Sequence, residues 1–265
     1  MELKKGVFIA KKKSGEVYYR ASFTYKGKHI SLGSYDSEDK AHGAYLEALM
    51  VTQTPTLGIH DYSSDNRYLN FEKWIILVNF RDNGLYFKNP IYLKPKYFEY
   101  YLDGEWPYKF DVDDLFYYSN HKIMKRGGHL FVADYGMQVN ILSRYGIKNF
   151  AVVGKDYEFV NGDITDFRYT NIKIINRYNG VTKVTTKGRE IYVSKILING
   201  SYIVGKYKSE DEAAIAYNKA IDVLKNKGID INYSSNYIEN MDSKTYLYNY
   251  EKVKISKKLL NFKLV

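Results

Sequence analysis

Residues 33–48 read Gly33-Ser34-Tyr35-Asp36-Ser37-Glu38-Asp39-Lys40-Ala41-His42-Gly43-Ala44-Tyr45-Leu46-Glu47-Ala48. Residues 205–220 read Gly205-Lys206-Tyr207-Lys208-Ser209-Glu210-Asp211-Glu212-Ala213-Ala214-Ile215-Ala216-Tyr217-Asn218-Lys219-Ala220. The glycine, both tyrosines, Ser-Glu-Asp and three alanines recur in one register without a gap, which marks an internal repeat. Ser37 and Ser209 each precede acidic residues. Ser209 with Glu212 is a capping box, and Glu38 and Glu210 suit the first turn, where a carboxylate meets the positive helix end. Ala41, Ala44, Tyr45 and Ala48 then fall at helical spacing, as do Ala213, Ala216, Tyr217 and Ala220. Small residues there let a helix lie close on a sheet.

Upstream of each helix the pattern is that of strands. Gly6-Val7 and Gly180-Val181 open the copies; Gly15 and Lys26-Gly27 punctuate the first, Gly188 and Asn199-Gly200 the second. Asn-Gly between β-rich runs is a strong hairpin signal. In the second strand Tyr19, Ala21 and Phe23 alternate with Arg20, Ser22 and Thr24, so the first set is expected to be buried and the second to face outward. The expectation is an α+β protein. Two small domains, each a three-stranded antiparallel sheet packed on one helix, flank a central α+β domain. The segments expected are 1–52, a central 53–176, 177–235 and a basic Tyr/Lys-rich tail, 236–265.

The chain has 265 residues, and 40 Lys and Arg against 30 Asp and Glu give a formal net charge of +10. That excess points to a polyanionic partner, nucleic acid first. No apolar run is long enough to span a membrane, and Met1 to Lys5 lacks a secretory core, so the expected location is cytoplasmic and nucleoid-associated. With no cysteine, disulfides, thiolate zinc sites and cysteine nucleophiles are excluded. The 29 tyrosines are read mainly as the codon usage of an A/T-rich genome rather than as a stacking surface. No Gly-rich phosphate loop and no Ser–His–Asp set stand out, so no cofactor is expected.

The repeated unit resembles the APETALA-two / ethylene-response-factor DNA-binding domain in its bacterial and phage forms. The resemblance rests on Gly6-Val7, Tyr19-Arg20-Ala21-Ser22-Phe23, Leu32-Gly33-Ser34-Tyr35 and the helix with Ala41, Ala44 and Tyr45. It is weaker in the second copy, where Val193-Ser194 replace Arg20-Ala21. It implies a sheet lying in the major groove, with outward side chains on bases and phosphates. By position those are Lys11, Lys12, Lys13, Arg20 and Ser22, then Lys183, Thr185, Lys187 and Lys195. Arg20 suits a bidentate contact to guanine, and the lysines suit phosphates. Phe8 and Ala10 stand where the plant domains carry arginines, so specificity is relaxed or differently coded.

In the middle, residues 52–68 read as a linker, Phe71 to Phe80 as strand or helix, and 128–153 as strands with a helix near Gln138 to Tyr145. Residues 157–174 resemble the second half of an HNH homing-endonuclease ββα motif, with Asn161-Gly162-Asp163, Asp166, Arg168 and Asn171 in register. The resemblance places Phe159 at the general-base histidine and Glu158 at a metal-ligand aspartate. Phenylalanine cannot activate water. Catalytic residues and a metal are therefore not expected, and Glu158, Phe159, Asn161, Asp163 and Asn171 mark a degenerate site. Lys122, Lys125 and Arg126, with His121 and His129 nearby, read as a phosphate-contacting hairpin or a plain surface turn.

These readings give a sequence-specific double-stranded DNA-binding protein. The expected role is that of a transcriptional regulator descended from an HNH endonuclease that lost catalysis, with a homodimer left open. The alternative is a working endonuclease with a rearranged metal site, using His121 or His129 as base. A further alternative is a structural protein that binds nucleic acid with little sequence preference.

Overall fold

The computed structural model describes residues 3–65, 67–102, 104, 106–229 and 232–263. It is α+β, with several small antiparallel sheets and few helices. The chain divides into two compact units, Met1–Val139 with Asp163–Asn171, and Asn140–Gly162 with Ile172–Val265.

The first unit opens with β1 (Val7–Lys11), β2 (Val17–Tyr25) and β3 (Lys28–Tyr35), antiparallel in that order, followed by α1 (Glu38–Gln53). The Ser37 hydroxyl accepts the Lys40 N–H and caps α1. Ala41, Ala44 and Ala48 are fully buried against Val7, Ala21, Phe23, Ile30 and Leu32. This core continues past the boundary expected at residue 52. α2 (Phe71–Asn83) adds Trp74, Ile75, Leu77 and Val78 to it, which settles the Phe71–Phe80 run as a helix.

The stretch expected as a linker is tethered at both ends. The Arg81 guanidinium donates to the carbonyls of Val51, Thr54 and Leu57 at 2.6–2.8 Å, satisfying the open end of α1. The Glu47 carboxylate accepts the N–H groups of Tyr68 and Leu69. The unit also holds β4 (Ile91–Leu93), β5 (Tyr97–Tyr100) and β6 (Tyr108–Asp111) as one sheet. After α3 (Leu115–Asn120) comes another sheet of β7 (Ile123–Arg126), β8 (His129–Asp134) and β9 (Met137–Asn140).

The second unit carries the hairpin β10 (Tyr157–Phe159) with β11 (Ile172–Ile174). Then follow β12 (Val181–Thr186), β13 (Arg189–Leu197), β14 (Ser201–Tyr207) and α4 (Glu210–Lys225), which repeat the first sheet and helix. The tail forms α5 (Ser243–Lys252) and the short α6 (Lys257–Leu260); Val253 and Leu259 are buried in the same core as α4. The helix expected near Gln138 to Tyr145 is a 3-10 turn at Ile141–Tyr145.

The repeat is structural down to single hydrogen bonds. The Gly6 carbonyl accepts the Ser22 N–H at 2.9 Å, and the Gly180 carbonyl accepts the Lys195 N–H at 2.8 Å. The register of β3 and β14 slips at the same place, beside Ala21 and Ser194. Glu38 accepts the Lys4 N–H and Glu210 the Arg177 N–H, so the acidic residue after each cap clamps the chain entering the sheet. Asp39 pairs with the Lys4 ammonium, and Asp211 accepts from the Tyr178 hydroxyl. Ser-Glu-Asp thus recurs because each member holds one end of the helix or the strand entry.

Gly6 and Gly180 have φ of +80° and +70°, and a Cβ on either would overlap the ring of Tyr45 or Tyr217. Gly180→Ala should therefore destabilise the protein by about 2–4 kcal/mol, combining a left-handed backbone with overpacking. Ser209→Ala should cost about 1 kcal/mol by loss of the cap. Urea titrations check both, and a Gly180→Ala midpoint equal to the parent's would refute this packing.

Candidate nucleic-acid interface

Cross-strand partners share a face of a sheet, so the register decides which candidates point outward. In the first sheet Phe8 pairs with Arg20 and Arg20 with Ser34. Ala10–Tyr18 and Thr24–His29 lie on the same side. This is the face opposite α1, since Val7 and Ala21 pair on the covered side. Phe8, Arg20, Thr24, His29 and Ser34 are all exposed. Ser22 is on this face and half-buried. Arg20 has no hydrogen bond or ion pair among the described residues. The sheet thus presents a guanidinium amid aromatic, hydroxyl and imidazole groups, all able to meet base edges.

The lysines are placed less favourably than the sequence suggested. Lys11 pairs with Val17 and alternates with Val7 and Ile9, so it lies on the helix side, exposed near the hairpin end. Lys12 and Lys13 sit in the β1–β2 turn, where Lys12 is ion-paired with Glu16 at 2.9 Å. Lys13 is exposed.

The second sheet differs more. Lys183 pairs with Tyr192, and Tyr192 with Tyr207, whose ring is buried in the core; Thr185 pairs with Glu190. Lys183 and Thr185 therefore share the helix-side register, and Lys183 is ion-paired with Glu190 at 2.7 Å. Lys187 occupies the turn with φ of +52°. Lys195 alone of the four is exposed on the open face. The position matching Arg20 is Val193, which pairs with Thr182 and is only 6% exposed. Ile191, Val184 and Ile203 share this face with the exposed cations Arg189, Lys195 and Lys206, which lie around the buried valine rather than at its position. Sequence reasoning missed this because it assigned faces without the register, although the exchange of Arg20 for Val193 was visible.

Just before β7, Lys122 is ion-paired with Glu72 at 2.7 Å, whereas in the β7–β8 hairpin Lys125 and Arg126 are exposed beside the Gly127-Gly128 turn. Lys125 lies 6.0 Å from the Tyr108 ring centre. His121 stacks on Tyr117, meets the Tyr117 carbonyl at 3.0 Å and lies 3.5 Å from Asp134, while His129 is exposed.

The segment resembling HNH forms a hairpin, but no helix follows it. Ile175 and Asn176 donate to the Asp156 carbonyl, and the chain runs on to β12. Glu158 is ion-paired with its cross-strand neighbour Lys173 at 2.8 Å. Phe159 packs edge-on against Tyr157. Asn161 is exposed in the turn, where the Gly162 N–H bonds the Phe159 carbonyl. Asp163 is held by the Thr165 hydroxyl at 2.7 Å and the Lys109 ammonium at 2.9 Å. Buried Asn171 donates to the Asp166 carbonyl at 2.8 Å, and Asp166 is bound by Arg168. Those groups knit loops together. Among the described residues no cluster of three or more His, Asp or Glu could hold a metal ion, and no helix is long and apolar enough to cross a membrane.

The hydrogen bonds from Thr165 and then Lys109 hold the Asp163 carboxyl down to about 2. A depressed carboxyl contributes stability in full above the unfolded value of 3.8, and that contribution fades as pH falls through about 2. A carboxyl NMR titration should place the Asp163 midpoint near 2, and Thr165→Val should move it upward. A midpoint at 3.8 in the parent protein would contradict these contacts.

No protein-family model, curated protein or solved structure matches the chain.

Proposed function

We propose that the protein is a sequence-specific double-stranded DNA-binding protein that regulates transcription, reading the major groove with the open face of β1–β3. The observation that carries this is Arg20. It stands exposed at the middle strand of an uncovered sheet face, and no carboxylate engages it among the described residues. A buried or ion-paired arginine would serve the fold; this one has no such task. A guanidinium on a sheet in the major groove makes a bidentate contact to guanine. Phe8 beside it offers an apolar contact to a thymine methyl, and Ser34 and Thr24 offer hydroxyls. The net charge of +10 supplies the general attraction to phosphate.

The second copy contributes differently, since Val193 replaces the reading arginine and Lys195 remains as a phosphate contact. Descent from an HNH endonuclease accounts for the Asn161-Gly162-Asp163 turn. The regulator is preferred to a working nuclease because Phe159 stands at the expected base, and Glu158 and Asp163 are each engaged by a lysine. The cytoplasm, beside the nucleoid, is the corresponding location.

The test is a gel-shift series on duplex DNA from the protein's own locus, with scrambled competitor, run in Mg²⁺, Mn²⁺ and EDTA. The expected result is a competitor-resistant shift without strand breaks. Arg20→Ala should reduce discrimination between the preferred site and a single-base variant by about 1–3 kcal/mol while non-specific binding persists. Equal discrimination by parent and Arg20→Ala would overturn the assignment of Arg20, and reproducible metal-dependent cleavage would overturn the regulator.

A further inference from the structure

The second unit holds a cavity of about 430 Å³ beside β12 and β13, lined by Lys148, Phe150, Lys155, Thr182, Lys195 and Tyr233 among others. Its outer wall is the loop from 148 to 156, and that loop is firmly pinned. The half-buried Lys148 ammonium binds Asp156 at 2.8 Å and the Tyr178 carbonyl at 3.0 Å. Asp156 accepts the Val152 N–H, and its own N–H returns to the Val152 carbonyl. On this anchored loop Phe150 is 95% exposed, with φ of +61°. A bulky side chain in left-handed backbone, and a ring left in water, both oppose folding. Among the described residues the ring gains no burial that repays them.

The surroundings suit one kind of occupant. Lys155 and Lys195 are exposed and make no ion pair among the described residues. Tyr233 adds a second ring, fixed by its hydroxyl on the Leu197 carbonyl at 2.6 Å. Cations beside an exposed ring are the elements that bind unpaired nucleotides, where the base stacks and the backbone phosphate meets positive charge. An anionic peptide would use the lysines but leave the ring without a task.

We propose that this cavity binds an unpaired nucleotide, its base stacked on Phe150 and its phosphate attracted by Lys155 and Lys195. The proposal extends the nucleic-acid reading from duplex to unstacked base, and it assigns the second copy a task that its valine at 193 denies it in the groove. The source is a nucleotide within a single strand or a free mononucleotide, and the same experiment separates them.

The experiment is fluorescence anisotropy of the full chain with labelled oligothymidine, with labelled duplex, and with unlabelled thymidine monophosphate as competitor. Phe150→Ala should weaken single-strand binding on the order of tenfold, the loss expected for one stacked base, and leave duplex binding unchanged. Phe150→Trp should retain it, and Lys195→Gln should weaken it and reduce its salt dependence. Arg20→Ala should show the reverse preference, losing duplex discrimination and keeping the single strand. Displacement by thymidine monophosphate identifies a mononucleotide site, and resistance to it identifies a strand site; either supports the proposal once Phe150→Ala is weakened. Single-strand affinity equal in the parent and Phe150→Ala overturns it whatever the duplex result. Absence of single-strand binding in a parent that binds duplex also overturns it and leaves the duplex reading standing. Absence of both overturns the two readings together.

Discussion

The ring of Tyr45 lies where a side chain on Gly6 would be, and Tyr217 lies likewise over Gly180. The rest of each sheet and helix depends on this contact. The glycine turns the chain into the first strand with a left-handed backbone, and its carbonyl ties that strand to the middle one. The tyrosine belongs to the helix, so the same contact fixes how the helix crosses the sheet. Alanines at the neighbouring positions keep the spacing small enough for the ring to reach. The cap serine, with the glutamate and aspartate after it, then secures the helix start and the strand entry.

Once that scaffold is fixed on one side, the other side of the sheet is unconstrained, and the two copies have diverged there. The first keeps Arg20 exposed between Phe8 and Ser34. The second has Val193 buried between Thr182 and Lys206, with Ile191 and Val184 nearby. At the centre of that face the first sheet has an exposed guanidinium and the second a buried valine. The scaffold is therefore shared, and the chemistry on it is not. In the second unit the exposed Lys155 and Lys195 line the cavity beside Phe150.

Much of the scaffold was legible because it rests on local rules. Caps, hairpin glycines and the alanine spacing each report a backbone requirement within a few residues, and they located both repeats. The faces were less legible. Lys183 and Thr185 were expected outward by position along the family resemblance, but side-chain direction follows register, and the Gly180–Lys195 hydrogen bond ties that register to a residue far along the chain. The segment from 52 to 68 looked like a linker because nothing local orders it; Arg81 and Glu47 hold it from the helices. The turn at Asn161-Gly162-Asp163 was legible as a turn. Its partners were not, because Lys109 lies far upstream in sequence. Phe150 gave no signal, since an exposed aromatic and a buried one read alike.

The central claim is that, of two similar sheets, the first reads duplex DNA through its open face. Backbone amide shift mapping of the full chain on titration with its preferred duplex tests this most directly. The account predicts changes concentrated at Phe8, Tyr18, Arg20, Thr24 and Ser34, with Ile191, Val193 and Val184 unmoved. Changes centred on the second sheet, or spread evenly over surface lysines with none at Arg20, would contradict it.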